Sequence, residues 1–267
     1  MPANDRSYPS VWARPRRKER STLTREQIVT QALQLLDGEG IDALSMRKLA
    51  ARLGAGTTSL YWHVANRDEL IELVVDEVYG ELDLPAVAAD HAGEPGVPGA
   101  PGEPGEPGEP GEPGDWQAGI RRYAHSIRST TLRHPWLVSV VEQLVSSYLG
   151  PNLSRVSEQM LAVFEAAGFE LREAERALST LSSYVLGVAT AEAAFRNWLA
   201  RHGQTDAEWM VAAKDVAEET TEGYERLRQV VAAYENVDPQ QSMDEDFEYG
   251  LGILLAGFQA RLDATAG

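Results

Sequence analysis

Residues 57–64 bring hydroxyl, aromatic and imidazole side chains together over the length of one short helix. Leu60 and Val64 are one turn apart and would face inward, which turns the polar side chains outward. A helix with outward hydrogen-bonding groups fits the major groove of DNA, where each base pair shows its own pattern of donors and acceptors. The side chains that this pattern predicts at bases or phosphates are Thr57, Thr58, Ser59, Tyr61, Trp62 and His63.

Basic residues flank this stretch on both sides, at Arg47, Lys48, Arg52 and Arg67. Cations bind phosphates and fix the register of a protein on duplex DNA. Residues 54–56 include two glycines and form the kind of short turn that joins the helices of a helix-turn-helix. The combination predicts a DNA-reading motif. A three-helix protein-interaction domain with an aromatic surface is the alternative.

Four predicted helices would hold the reading stretch in place. Thr24 and Gln27 have the spacing of a capping box at the start of the first helix. Ser45 is the predicted N-cap of the second helix, and the fourth begins after Asn66. Apolar residues recur at helical period in each segment, whereas alternating strand patterns are nearly absent. The sequence therefore predicts an all-α fold.

Charge is distributed unevenly along the 267 residues. Residues 1–67 hold 11 Lys and Arg against 6 Asp and Glu, whereas residues 68–267 hold 13 against 35. A basic segment on an acidic body favours a confined site for a polyanion, although an exposed basic tail on a soluble acidic body would give the same counts. The sequence contains no Cys, which excludes disulfides, thiolate metal sites and cysteine nucleophiles.

Residues 1–23 are rich in Pro and Arg and lack helical periodicity, which predicts a flexible arm. A basic arm before the first helix of a DNA-binding domain can reach an adjacent minor groove. A solvated tail without DNA contacts is the alternative. The arm residues predicted to bind DNA are Arg14, Arg16, Arg17, Lys18 and Arg20.

From residue 93 to residue 113 every third residue is Gly, and Pro fills the third place of each of seven triplets. This is the collagen period, which would require three chains. Seven triplets between helical domains are short for a triple helix, so an extended polar linker is the favoured interpretation. A trimeric adaptor protein is the alternative.

Helical patterns return after the linker, over residues 115–133, 136–149, 153–167, 171–200, 206–234 and 244–262. The pattern over 171–200 is interrupted by Gly187. The last segment is apolar on nearly all sides between Leu251 and Phe258 and must be buried, either across a dimer interface or inside one chain. No apolar run approaches the roughly 18 residues that span a bilayer, and no secretory signal is visible, which predicts a cytoplasmic location and no membrane partner.

Signals of catalysis are weak. Residues 38–43 match the pattern GxGxxA but follow a predicted helix, whereas a dinucleotide site needs this pattern after a strand. The five His residues show no metal-ligand pairing, and no nucleophile or zinc motif is present. The sequence predicts no enzyme, no metal and no cofactor.

The segment LSMRKLAARLGAGTTSLYWHVANRDEL, residues 44–70, resembles the DNA-binding domain of the TetR family of transcriptional regulators. Residues 164–184 and 247–262 are also similar to this family, and in particular to its tetracycline-repressor subgroup. The resemblance implies base or phosphate contacts for Arg47, Ser59, Tyr61, Trp62, His63 and Arg67. Residues 57–59 depart from the subgroup, so a different operator is expected.

The resemblance also implies a C-terminal pocket for a small molecule that releases the protein from DNA. Its pocket positions fall at Tyr123 and Ile127, and the metal-binding His of the subgroup falls at Val141. An acidic position linked to that metal falls near Ala191, so a magnesium–tetracycline ligand is not expected. Aromatic side chains would suit a flat, apolar ligand, and the predicted binding set is Tyr123, Ile127, His134, Trp136, Val141, Phe164 and Tyr184. Core packing is the alternative for each aromatic side chain, and a contact at a helix end is the alternative for His134.

Together the residues and the resemblance predict a homodimeric repressor that binds a pseudo-palindromic operator in double-stranded DNA. An efflux or antibiotic-related target gene would be typical of the family. An activator or a ligand-independent regulator of the same fold is the alternative. The predicted domains are the arm, the helix-turn-helix domain, the linker, and the ligand-binding and dimerisation domain, over residues 1–23, 24–84, 85–114 and 115–267.

Overall fold

The computed structural model describes residues 23–85, 116–140, 150–233 and 237–265. In these ranges every regular element is helical and no strand is present, which confirms the all-α prediction. The chain divides into two compact units, Met1–Val74 and Val75–Gly267. Several predicted features lie outside the described residues, namely the Gly-Pro repeat, Val141 and the arm residues Arg14, Arg16, Arg17, Lys18 and Arg20.

The first unit contains helices α1 to α3 and the start of α4, which are Arg25–Glu39, Met46–Arg52, Thr57–Tyr61 and Arg67–Gly80. Thr24 and Gln27 form the predicted capping box, with bonds of 3.2 and 3.1 Å to each other's backbone N–H groups. Ser45 caps α2 by accepting from the backbone N–H of Lys48 at 3.2 Å. These caps satisfy N–H groups that a helix start leaves without partners.

A compact apolar core holds the first unit together. Ile28, Leu35, Leu49 and Leu60 are fully buried, so α1, α2 and α3 all contribute to it. α1 ends at Gly40, whose φ of 79° suits glycine and lets the chain leave the helix. A short 3-10 helix, Ile41–Ala43, then leads into α2.

The second unit contains the end of α4 and helices α5 to α10, which are Trp116–Arg133, Pro151–Ala166, Leu171–His202, Asp206–Thr220, Glu225–Ala233 and Pro239–Thr265. A 3-10 helix, Pro135–Val140, follows α5, where an α-helix over 136–149 was predicted. Residues 141–149 of that prediction lie outside the described residues.

Two predictions of helix continuity in the second unit are wrong. α7 passes through Gly187 without interruption, because helical hydrogen bonds do not require a side chain there. The predicted single helix over 206–234 is two helices, α8 and α9. Gly223, with a φ of 85°, turns the chain between them.

The core of the second unit lies among α5, α6, α7 and α10. Phe164 and Phe247 are its largest fully buried side chains, and Phe164 packs edge-on against Phe169 and Phe258. Arg128 of α5 adds a buried polar link, since it donates to Glu192 of α7 at 2.8 Å and to Asp244 of α10 at 2.6 Å. Among the described residues, no helix is long and apolar enough to cross a membrane.

Candidate nucleic-acid interface and ligand cavity

α2, a four-residue turn and α3 form the predicted helix-turn-helix. The turn runs from Leu53 to Gly56, and Gly54 takes a φ of 63° that a larger residue would adopt only with strain. Leu60 and Val64 are buried, as predicted, and anchor α3 to the core. Their burial fixes the side of α3 that faces solvent.

Two aromatic side chains dominate the exposed side of this segment. Trp62 is 84% exposed and Tyr61 is 50% exposed. Thr58 and Ser59 are also exposed, whereas Thr57 and His63 are half-buried. Adjacent exposed aromatic rings are unfavourable in water unless a partner covers them. The predicted reading residues therefore lie on one short helix and the residues directly after it.

The flanking cations are not equivalent. Lys48 forms an ion pair with Glu39, and Arg52 lies 3.7 Å from the same carboxylate. Arg47 is exposed and forms no ion pair within the described part of the chain. Arg47 is thus the α2 cation that can meet an anion without first leaving a carboxylate.

Arg67 has a structural role that the sequence does not reveal. Its Nε donates to the carbonyl of Leu44 at 3.2 Å, and its Nη2 donates to the carbonyl of Ile41 at 3.1 Å. These bonds join the start of α4 to the segment before α2. The phosphate contact of Arg67 remains a prediction, and it would have to use the remaining guanidinium N–H groups.

A cavity of about 420 Å³ lies in the second unit, against α4, α5, α7 and the 3-10 helix after α5. None of the described residues that line it is charged. Among those residues, the polar side chains are three threonines and one tyrosine. The lining residues are Val78, Tyr79, Leu82, Ile127, Thr130, Thr131, Leu137, Val138, Leu186, Gly187 and Thr190.

Of the residues predicted to bind a ligand and described by the structure, only Ile127 lies on this wall. Tyr123 and Phe164 lie in the core instead, because their faces of α5 and α6 pack against α7 and α10. Burial raises the pKa of the Tyr123 phenol to about 12, and a hydrogen bond to Ser182 opposes the shift. Tyr184 donates to the carbonyl of Phe247 at 2.8 Å and stacks on its ring.

His134 and Trp136 also lie away from the cavity wall. His134 is buried, and its Nε2 is 3.1 Å from Oε2 of Glu81, just after α4. Arg133 donates to the same oxygen at 2.5 Å. Trp136 is buried edge-on against His134. His134 therefore joins the end of α5 to the chain just after α4, and neither side chain is among the described residues that line the cavity.

Four polar residues of the cavity wall were not predicted from the sequence, namely Tyr79, Thr130, Thr131 and Thr190. Tyr79 lies on the apolar stripe of α4, and burial raises the pKa of its phenol. Thr130 and Thr131 follow Ile127 by about one helical turn, so they share its side of α5. The signal that the sequence offered was this pair of adjacent threonines, about one turn after a predicted pocket residue. In the described ranges, no group of three or more His, Asp or Glu side chains is placed to hold a metal ion.

Both units match known protein families. A family model described as "Bacterial regulatory proteins, tetR family" matches residues 28–74. A second, described as "Tetracyclin repressor-like, C-terminal domain", matches residues 107–262. The two matches cover the helix-turn-helix and most of the unit that contains the cavity.

Several individual proteins are similar over most of the chain. An HTH-type transcriptional regulator of Saccharopolyspora erythraea is 35% identical over 190 residues, 70% of each protein. The tetracycline repressor protein class D of Escherichia coli is 28% identical over 250 residues, 91% of this chain and 92% of that one. The crystal structure of the Streptomyces coelicolor protein ActR in complex with actinorhodin has a TM-score of 0.67 and 30% identity. That match covers 90% of this chain and 97% of ActR.

Proposed function

The chain belongs to the tetR family of bacterial transcriptional regulators, and on that basis we propose that it is a homodimeric repressor released from its operator by a small molecule. α4 carries this proposal. Leu70 and Val74 near its start are buried in the unit that contains the helix-turn-helix. Val78 and Tyr79, one turn later, line the cavity of the second unit.

A helix shared in this way can connect ligand binding to DNA binding. A ligand in the cavity contacts the end of α4 and favours one position of that helix over another. Coupling of this kind is reciprocal, so DNA must also change the affinity for the ligand. A repressor is favoured over an activator because the chain is similar to the tetracycline repressor protein class D of Escherichia coli.

A homodimer would place two copies of α3 on successive major grooves, about 34–36 Å apart, and would require an inverted-repeat operator. α10 offers a surface for dimerisation. Tyr249 and Ile253 are 73% and 55% exposed on it, and the glycines and Ala256 between Leu251 and Phe258 permit close helix approach. Light scattering should give twice the protomer mass, whereas three times that mass would favour the collagen-like trimer.

The cavity favours an uncharged, mostly apolar ligand. A charged ligand would lose its hydration on entering the cavity, and none of the described lining residues carries an opposite charge to compensate for that loss. Such desolvation of a charge is costly. Hydroxyls of Thr130, Thr131 and Thr190 could orient a ligand carbonyl or hydroxyl. The structure of the relative ActR with actinorhodin is consistent with an aromatic ligand. An antibiotic-related or efflux target gene follows from the same analogy alone.

Selection of bound sequences from a random duplex DNA pool by the purified protein tests the DNA-binding part of the proposal. We expect enrichment of one inverted repeat with a half-site spacing near one helical turn. Binding that is only salt-sensitive and independent of sequence would contradict it. An operator that the protein binds without release by any apolar compound would favour the ligand-independent alternative.

Two fluorescent probes that differ by one charge test the ligand class. N-phenyl-1-naphthylamine is neutral, and 8-anilinonaphthalene-1-sulfonate carries an added sulfonate on the same framework. We expect the neutral probe to bind at least about tenfold more tightly, because none of the described lining residues carries a countercharge for the sulfonate. Equal or tighter binding of the sulfonate would contradict an uncharged ligand.

A further inference from the structure

α6 begins without a capping side chain of its own. Its N-cap residue is Gly150, and Pro151 follows as the first helical residue. The N–H groups of the first turn need an acceptor from elsewhere, because no helical carbonyl reaches them. Asp76 of α4, 76 residues before Asn152 in the chain, supplies that acceptor.

The carboxylate of Asp76 meets the first turn of α6 through several bonds. Its Oδ1 accepts from the backbone N–H groups of Asn152 and Leu153, each at 3.1 Å. Its Oδ2 lies 3.3 Å from both nitrogens of Asn152, the backbone N and Nδ2. A carboxylate at a helix N-terminus also interacts favourably with the helix dipole. The cap therefore joins α4 to α6 by charge-assisted hydrogen bonds.

Glycines make room for this contact on both helices. A Cβ at Gly150 would lie 2.2 Å from Oδ1 of Asp76, although its φ of −75° suits any residue. A Cβ at Gly80, one turn after Asp76 on α4, would lie 3.2 Å from Nδ2 of Asn152. The absence of a side chain at position 150 is thus required by Asp76, and backbone conformation does not require it.

The contact lies next to the cavity wall. Asp76 precedes the lining residues Val78 and Tyr79 on the same helix. We refer to Asp76, Gly80, Gly150, Asn152 and Leu153 as the α4–α6 latch. A ligand that displaces this part of α4 must stretch or break the bonds of the latch, since the first turn of α6 is fixed by its own helix.

We propose that Asp76 is a positioning residue for DNA reading, which holds α4 through the α4–α6 latch in the position from which α3 binds the operator. This inference rests on the proposed function. The latch restricts the positions that α4 can take in the free protein. DNA binding therefore has to exclude fewer positions of α4. Its loss lowers the fraction of molecules that are ready to bind.

The first experiment tests the cap itself and needs neither DNA nor ligand. Hydrogen–deuterium exchange of the full-length protein should be faster in the peptide that contains Asn152 and Leu153 when Asp76 is replaced by Ala. Gly150→Ala should have the same effect, because its methyl group displaces the carboxylate. Asp83→Asn serves as the control, since Asp83 is an exposed acid that pairs with Arg122 and caps no helix.

The second experiment measures affinity for the selected operator by fluorescence anisotropy. Asp76→Ala and Gly150→Ala should each weaken binding about tenfold, because a smaller fraction of molecules is binding-competent. The double variant should lose no more than either single variant, since both act on one contact. Asp76→Asn keeps one acceptor oxygen and should fall between wild type and Asp76→Ala.

Two further controls separate positioning from loss of stability. Met160→Ala removes a fully buried side chain from α6 and lowers stability, but it leaves the latch in place. Its operator affinity should stay within about twofold of wild type, at a temperature where all variants are folded. Gly38→Ala adds a methyl group that meets nothing within 4 Å, and it should change neither readout.

The outcomes separate this inference from the proposed function. Unchanged exchange in Asp76→Ala, or operator affinity within twofold of wild type or higher than wild type, would overturn the role of Asp76. If the wild-type protein enriches no operator, the proposed function fails and the role of Asp76 in DNA reading fails with it. The exchange data would still show whether Asp76 caps α6.

Discussion

The proposed DNA-reading surface and the proposed ligand cavity are built in opposite ways. The reading surface is formed by consecutive residues of α3 and the chain directly after it, and its side chains point outward. The described part of the cavity wall comes from four segments spread from Val78 to Thr190, and its side chains surround an unfilled space. The first site depends on what one short helix exposes, and the second depends on what several long helices leave unfilled.

This difference explains which site a sequence can reveal. Exposed neighbours such as Tyr61 and Trp62 are exceptional, because apolar rings usually avoid water. The valine, leucine and isoleucine side chains of a cavity wall have the same pattern as an ordinary core. An exposed aromatic pair therefore indicates function by itself, whereas an apolar helical stripe does not.

The largest expected effect comes from the reading surface. Trp62→Ala should lower operator affinity about 30- to 100-fold, because it removes the most exposed ring of the predicted interface. It should leave the unfolding temperature nearly unchanged, since the ring contacts little of the protein. Anisotropy and thermal denaturation measure the two effects.

Tyr224→Ala is the matched control for Trp62, because Tyr224 is also an exposed aromatic residue but lies in the second unit. Its operator affinity should equal that of wild type. A similar loss in both variants would remove the distinction between the reading surface and the rest of the protein.

The next effect tests whether the cavity is a binding site. Gly187 lines the cavity, and a Cβ there meets nothing within 4 Å. Gly187→Leu should fill part of the space and weaken binding of N-phenyl-1-naphthylamine at least about tenfold, while operator affinity is kept. The unfolding temperature should rise slightly, since leucine favours helix more than glycine does.

Gly187→Ala adds only a methyl group and should give an intermediate loss of probe binding. If both variants bind the probe as wild type does, the probe site lies elsewhere and the cavity is ordinary unfilled space. If operator affinity falls together with probe binding, the substitution affects DNA binding as well as the cavity, and the two sites are not independent.

A smaller effect is expected for Lys48, which already has a carboxylate partner in Glu39. Lys48→Ala should weaken binding to all DNA sequences about fivefold. It should also reduce the slope of log affinity against log salt concentration by about one. Arg228→Ala, which removes an exposed cation from the second unit, should change neither quantity. Loss of sequence preference in Lys48→Ala would instead indicate a base contact.

The smallest effect near neutral pH is expected for the buried Tyr123. Burial raises the pKa of its phenol to about 12, above the ordinary value of 10.0. Between pH 10 and 12 the unfolded chain loses this proton while the folded chain keeps it, so stability falls as pH rises. In denaturant titrations over this pH range, the free energy of unfolding should fall by about 1–3 kcal/mol less in Tyr123→Phe than in wild type. Equal pH dependence would mean that the phenol is hydrated.

Local signals predicted the first unit in detail. The Thr24 capping box, the Ser45 cap and the inward positions of Leu60 and Val64 are all present, because each depends on residues only a few positions apart. The bond from Arg67 to the carbonyl of Ile41 could not be predicted in this way, since it spans 26 residues and uses a backbone acceptor.

In the second unit the sequence predicted long helices but not the site that they form. Tyr123 and Phe164 were plausible pocket residues, yet both lie in the core. Side chains within one turn of the same helix face different neighbours, so the sequence does not show which of them face a cavity. The acceptor for α6 was equally hidden, because Asp76 reaches it across 76 residues of chain. Tertiary contacts of this kind leave no local pattern.

The absence of a side chain at Gly187 on the cavity wall also has a consequence for how this protein can evolve. A methyl group added there meets no neighbouring atom, because nothing lies within 4 Å of the new Cβ. Most other changes to a packed interior disturb several residues at once. If the cavity holds the proposed ligand, substitutions at this one position would change which compounds fit, and they would leave the residues of the proposed DNA-reading surface unchanged.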